Sequence, residues 1–168
     1  CRLMPFDYEA NVLAVVNAMT VANTTTSNPD LSSGLTTRVR NIYRNDPGIV
    51  NLRGDIYPAI FVRINRKTEE FAGLGATGPT QARKKAVAEY DVIGFYRKDG
   101  YHGTQAQVLL ELERLAENIE GIFQTELTLS GTALWCQAKS TEFFGPFAND
   151  EMLIKAVVVS LEAQYHFR

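Results

Sequence analysis

Residues 105–127 read QAQVLLELERLAENIEGIFQTEL. Val108, Leu112, Leu115, Ile119, Ile122 and Phe123 recur at three- and four-residue spacing and form one apolar stripe on a helix. Glu111, Glu113, Arg114, Glu117, Asn118 and Glu120 occupy the rest of the circumference, which reads as a solvated face. A helix with one dry stripe needs one apolar surface to lie on. On both sides of it the pattern changes from a period of 3.6 to a period of two, so the predicted surface is one face of a sheet.

Upstream, Lys84–Arg97 predicts a long strand. Ala86, Ala88, Tyr90, Val92 and Tyr96 share one parity; Val87, Ile93 and Phe95 share the other, with Glu89 and Asp91 wetting its middle. Asp55–Asn65 predicts its partner, with Ile56, Ile60, Val62 and Ile64 on one side and Tyr57, Ala59 and Phe61 on the other. Pro58 has no amide to donate, which suits an edge or the start of a ladder. Between the two, Arg66–Arg83 breaks the alternation with Glu69-Glu70 and then Gly73-Leu74-Gly75-Ala76-Thr77-Gly78-Pro79. This segment, 66–83, reads as an extended hairpin arm.

After the turn Lys98–Thr104 and the helix, Leu129–Ser140 predicts a strand containing Leu134, Trp135 and Cys136. Thr141–Asp150 reads as a loop around Phe143-Phe144-Gly145-Pro146-Phe147. Glu151–Phe167 predicts a last strand, with Leu153, Val157, Val159, Leu161, Ala163, Tyr165 and Phe167 on one side. Glu162, Gln164 and His166 share the other side with Ala156 and Val158.

The N-terminal segment 7–45 reads as helical. Asp7 is the predicted cap of a helix burying Val12, Val15, Val16 and Met19. Asn23–Ser33 is a loop, and Leu35, Val39 and Ile42-Tyr43 mark a second, shorter helix stopped by Asn45-Asp46-Pro47-Gly48. The expectation is a single α+β domain over 1–168, without internal repeats. Its sheet is mostly antiparallel, of about four strands, with the long helix packed on one face.

Composition narrows the function classes. The 168 residues carry a net charge of −2 with 45% hydrophobic and 21% charged residues, ordinary for a globular chain, which excludes wholesale disorder. A chain this near neutrality is not a general nucleic-acid binder by bulk charge. The apolar runs Val12–Val16 and Ala156–Val159 are far shorter than the ~20 residues of a membrane-spanning helix. No basic region followed by an apolar one opens the sequence, so the predicted compartment is a reducing cytoplasm. Cys1 and Cys136 form neither a disulfide framework nor a zinc set, and Cys136 reads as a small buried hydrophobe.

Motifs for catalysis are weak. Gly73, Gly75 and Gly78 match G-x-G-x-x-G, but Pro79 and a strand follow where a dinucleotide site needs a helix. His102 lies in a predicted turn and His166 on the last strand, with no spacing that assembles a triad or a metal site. Arg63, Arg66 and Lys67 lie at one end of the arm and Arg83-Lys84-Lys85 at the other, so they become neighbours. They read either as solubilising charge or as a contact to an acidic partner or passing nucleic acid. The three phenylalanines of 143–147 read either as a satellite core or as a contact patch.

The order of these elements resembles the tail terminator, or tail-completion, proteins of long-tailed bacteriophages. The resemblance rests on Tyr57-Pro58-Ala59-Ile60-Phe61-Val62, the glycine-rich arm, Tyr90-Asp91-Val92-Ile93-Gly94-Phe95-Tyr96, Leu112-Glu113-Arg114-Leu115-Ala116-Glu117, and the strand Val157–Tyr165. It extends best from Asp55 to Phe167. It implies a virion protein of the tail and neck, assembled in the host cytoplasm, with no catalysis and no cofactor. Such a protein forms a homo-oligomeric ring, a hexamer, that caps the head-proximal end of the tail tube. Its implied partners are its own copies, the tail tube protein, the head connector or head-completion protein and the tape measure protein, with DNA passing through the lumen without specific binding. The expected assembly contacts are Arg66, Lys67, Glu69, Glu70, Phe71, Leu74, Arg83 and Lys84 of the arm, and Phe143, Phe144 and Phe147. The helix carboxylates are expected to face the lumen. Alternatives are another neck or head-completion protein, or a small cytoplasmic α+β enzyme or ligand-binding domain.

Overall fold

Two helices lie on one face of a five-stranded mixed sheet in the computed structural model, which describes residues 6–45, 57–73, 83–99, 105–148 and 152–167. The elements are α1 (Tyr8–Val21), β1 (Ile42–Arg44), β2 (Ala59–Gly73), β3 (Arg83–Asp99), α2 (Gln105–Thr125), β4 (Trp135–Ala148) and β5 (Met152–Phe167). The strand order is β1-β2-β3-β5-β4. β1 runs parallel to β2, and every other pairing is antiparallel.

Local chemistry accounts for the helices. Asp7 Oδ1 accepts the Ala10 amide at 3.0 Å and satisfies one of the orphan donors of the first turn of α1. Val12, Val15, Val16 and Met19 of α1 and the whole predicted stripe of α2 are buried, and all of these but Val108 pack together. They meet Ile60 and Val62 of β2, Ala86, Ala88, Tyr90 and Val92 of β3, and Val157, Val159, Leu161, Ala163 and Tyr165 of β5 in one cluster. Gly94 of β3 lies directly under Leu115 of α2. A methyl added there would stand 2.7 Å from Leu115 Cδ2 and 3.3 Å from Val157 Cγ1, so only hydrogen fits beneath that leucine.

Three expectations are corrected. Among the described residues no second helix occupies 35–43: Val39 is a buried anchor and Ile42–Arg44 adds a fifth strand beside Ile60–Val62. The segment 66–73, read as part of an arm that breaks the pattern, continues β2. Arg66 pairs in register with Glu89, Thr68 with Val87 and Glu70 with Lys85, after a bulge at Asn65. Cross-strand charge pairs on an uncovered face replace the apolar alternation there. The segment 141–148, read as a loop, lies in β4. Gly145 (φ 100°) and Pro146 sit between the Phe144 and Phe147 pairings, in a bulge that lets the strand resume.

The link from α1 to β1 is irregular and held by polar groups instead of by a helix. Ser32 Oγ donates to Asn23 Oδ1 at 2.5 Å and accepts the Val39 amide at 3.0 Å. Arg38 grips both oxygens of Asp30, at 2.8 and 3.0 Å, and the Ser32 amide donates to the same carboxylate at 3.1 Å. Arg38, and then the Ser32 amide, hold the Asp30 carboxyl below its ordinary value of 3.8 against the opposing cost of burial. A depressed folded pKa gives stabilisation that is complete above 3.8 and fades as pH falls through the folded value. Accordingly, the difference in urea midpoint between the natural chain and Asp30→Asn should be constant above about pH 5 and shrink toward zero in stronger acid. An undiminished difference in acid would show that Arg38 does not act through the charged carboxylate.

Candidate assembly surface

The sheet face away from the helices carries no helix among the described residues, and it is divided lengthwise. At one end Tyr57, Ala59, Phe61 and Ile93 are buried in a second apolar cluster with Tyr43, Phe95 and Val158 around them. Phe61 and Phe95 stack with ring centroids 5.7 Å apart. Phe144, 43% exposed, belongs to this end through its pairing with Ala156, which lies opposite Phe95.

The other end is a lattice of matched charges. Arg63 donates to Asp91 Oδ2 at 3.1–3.2 Å, and Ser160 Oγ donates to Asp91 Oδ1 at 3.3 Å. Arg66 donates to Glu89 Oε1 at 2.8 Å. Lys139 lies 2.7 Å from Glu162 and 3.7 Å from Glu89. Arg66, then Lys139, hold the Glu89 carboxyl below its ordinary range, while Glu162 raises Lys139. The cations stay outside: the side chains of Arg63, Arg66 and Lys139 are 55%, 68% and 54% exposed. Pairs this wet contribute little to stability. Their effect is on the character of the surface, which is charged, nearly neutral and open. The cleft between them, about 200 Å³, is lined by Asn65, Glu89, Asp91, Lys139, Ser140 and Ser160, at the level of the bulges in β2 and β4.

The expected contact residues divide accordingly. Arg66 and Glu70 pair with Glu89 and Lys85 on the helix-free face. Lys67 is on the helix side, where its ammonium sits 5.1 Å from the ring centres of both Phe6 and Tyr8 and bonds Glu69. Lys84 reaches Glu69 at 3.5 Å. These basic residues therefore face carboxylates of their own sheet and do not form a bare cationic patch. Phe71 and Arg83 occupy the ends of β2 and β3, Phe147 pairs with Ile154, and Phe143, 47% exposed, pairs with Val157 on the helix side. The two exposed phenylalanines of β4 thus point to opposite faces. Leu74, Gly75, Gly78 and His102 lie outside the described residues.

Two polar features escaped sequence reading. Glu111, Arg114 and Asn118 form a second stripe on α2 that clasps residues 31–36. Glu111 accepts the Thr36 amide and, at 2.6 Å, its hydroxyl; Arg114 donates to Gly34 O at 2.7 Å; Asn118 donates to Leu31 O and Ser33 O at 2.9 Å. Their spacing of three and four was the available signal. In the core, the hydroxyls of Tyr90 and Tyr165 share a hydrogen bond of 2.9 Å, and burial raises both pKa values, that of Tyr165 to about 12. Burial likewise pushes the Cys136 thiol up to about 12, the state of an inert core residue.

Among the described residues no three His, Cys, Asp or Glu side chains are placed to hold a metal ion, and no helix is long and apolar enough to cross a membrane. In comparison with known proteins, the chain matches no family model and no curated protein.

Proposed function

We propose that this chain is a structural subunit that closes into a ring, a hexamer, and caps the head-proximal end of the tail tube of a long-tailed phage. In this role it ends tube polymerisation and offers its other side to the head connector. The observation that carries the reading is the sheet itself. It is broad, has one face without helices among the described residues, and exposes Thr68, Glu69 and Glu70 along β2. Such a sheet has surface to share with copies of itself and with the tube. The matched charges of the helix-free face suit a passage for duplex DNA, since among the described residues Arg63, Arg66 and Lys139 each meet a carboxylate and form no bare cationic row to grip phosphates. In this reading that face lines the passage in place of the α2 carboxylates, of which Glu113 and Glu117 are exposed on the other side of the sheet.

Negative-stain imaging and light scattering of the purified chain should give closed rings of one size. Removing Glu69–Thr80 should leave the circular dichroism spectrum and melting cooperative but abolish the rings. A chain that stays monomeric at tens of micromolar, alone and with tail tubes, overturns the reading. Rings that survive the deletion remove this segment from it.

A further inference from the structure

α1 is apolar all round. Glu9 is its single charged residue, and from Ala10 to Pro29 the sequence carries no charge at all. Its buried stripe of Val12, Val15, Val16 and Met19 leaves Ala10, Leu13, Asn17 and Val21 on the opposite side, at spacings of three and four. All four are exposed, Leu13 by 39% and Val21 by 75%. α2, by contrast, turns Glu113, Glu117 and Gln124 to solvent. A helix without a polar side belongs inside a protein or against a neighbour, so the outer side of α1 is one half of a contact.

The other half lies at the opposite edge of the subunit. α1 rests on β1 and β2, whereas α2 rests on β3, β5 and β4. Between α2 and β4 runs a groove of about 410 Å³ lined by Phe123, Gln124, Leu127, Ala138 and Thr141 among others. Leu127 is 50% exposed, and Phe143, 47% exposed, stands beyond Thr141 on the same side of β4. From Cys136, whose amide bonds Leu127 O, to Phe143 this side of β4 is about 20 Å long. The ridge from Ala10 to Val21 is about 17 Å long and fits within it. The surrounding charges are of opposite sign. Exposed Arg40 stands at the end of α1, where Asn23 Nδ2 donates to the Val39 carbonyl at 2.6 Å, and exposed Glu113 and Glu117 rim the outer side of α2.

On the ring reading above, we propose that the outer side of α1 of one copy seats in the groove between α2 and β4 of the next. Ridge and groove belong to the same chain, so a second copy is the occupant that covers both at once. One contact repeated between opposite edges is head-to-tail, and a closed ring covers every ridge and fills every groove.

The test mixes two variants of the full chain. Leu13→Lys puts a charge on the ridge and Leu127→Lys puts one in the groove; both positions are exposed, and circular dichroism and melting establish that each variant is folded. Val21→Lys repeats the ridge variant with a cation that suits the last turn of a helix. In sedimentation velocity at tens of micromolar, the natural chain should run as rings and each variant as a monomer. Leu13→Lys keeps its groove and Leu127→Lys keeps its ridge, so an equimolar mixture should give one-to-one dimers and nothing larger. Rings that persist in the ridge variants and in the groove variant overturn this contact and leave the ring reading standing. A natural chain that is monomeric, alone and with tail tubes, overturns both. Loss of rings in only one kind of variant, or a mixture that stays monomeric, overturns the groove as the seat of α1.

Discussion

Gly94→Val is expected to destabilise the fold by about 3 kcal/mol, at the upper end of what overpacking a core costs. The residue lies in the middle of β3, where valine is otherwise the better strand former by up to about 1 kcal/mol. The contact overrides that preference. The added Cβ alone would be 2.7 Å from Leu115 Cδ2, and Leu115 is only 1% exposed, wedged between α2 and the sheet. Relief requires Leu115 to turn within a core that also packs Leu112, Ile119 and Phe123, or α2 to shift. The check is a double-mutant cycle read by urea denaturation. Leu115→Ala alone should cost about 2–5 kcal/mol through the cavity it leaves. Combined with Gly94→Val, the loss should be smaller than the two single losses together by at least about 1 kcal/mol. Additive losses would mean that α2 does not rest on Gly94.

Glu111→Ala should cost about 2–3 kcal/mol, because the carboxylate is 7% exposed and accepts both the amide and the hydroxyl of Thr36. The loss is that of releasing the 31–36 segment from α2, not that of an apolar contact. Amide exchange gives a local readout: the Thr36 amide should exchange faster in Glu111→Ala by a factor larger than the global change in stability accounts for. An unchanged exchange rate would show that Glu111 does not hold the segment.

What was legible in the sequence, and what was not, follows from how much each residue depends on its neighbours. The stripe from Leu112 to Phe123 and the parity of Val157 to Tyr165 declare themselves, because each side chain meets the same core and the period survives over many residues. β1 is three residues long and leaves no period to detect. Arg66–Gly73 carries charge where a strand usually shows alternation; only the partners Glu89 and Lys85 on β3 explain those residues. Gly145-Pro146 speaks for a turn, and the pairing of Phe143, Phe144 and Phe147 with β5 outweighs that local signal. The same limit hid the α2 clasp, since Glu111 looks like any surface glutamate until Thr36 is brought to it from 75 residues away. Phe143, Phe144 and Phe147 read in sequence as one loop, either a satellite core or a contact patch, whereas strand alternation sends Phe143 and Phe144 to opposite faces.

The lengthwise division of the helix-free face gives the subunit a direction. Phe61, Ile93 and Phe95 gather at one end, while Arg66, Glu89, Lys139 and Glu162 gather at the other. In the proposed ring, copies side by side with parallel axes would carry two chemically different ends, one sealed around buried aromatic residues and one covered in paired charges, so that each end would suit a different neighbour.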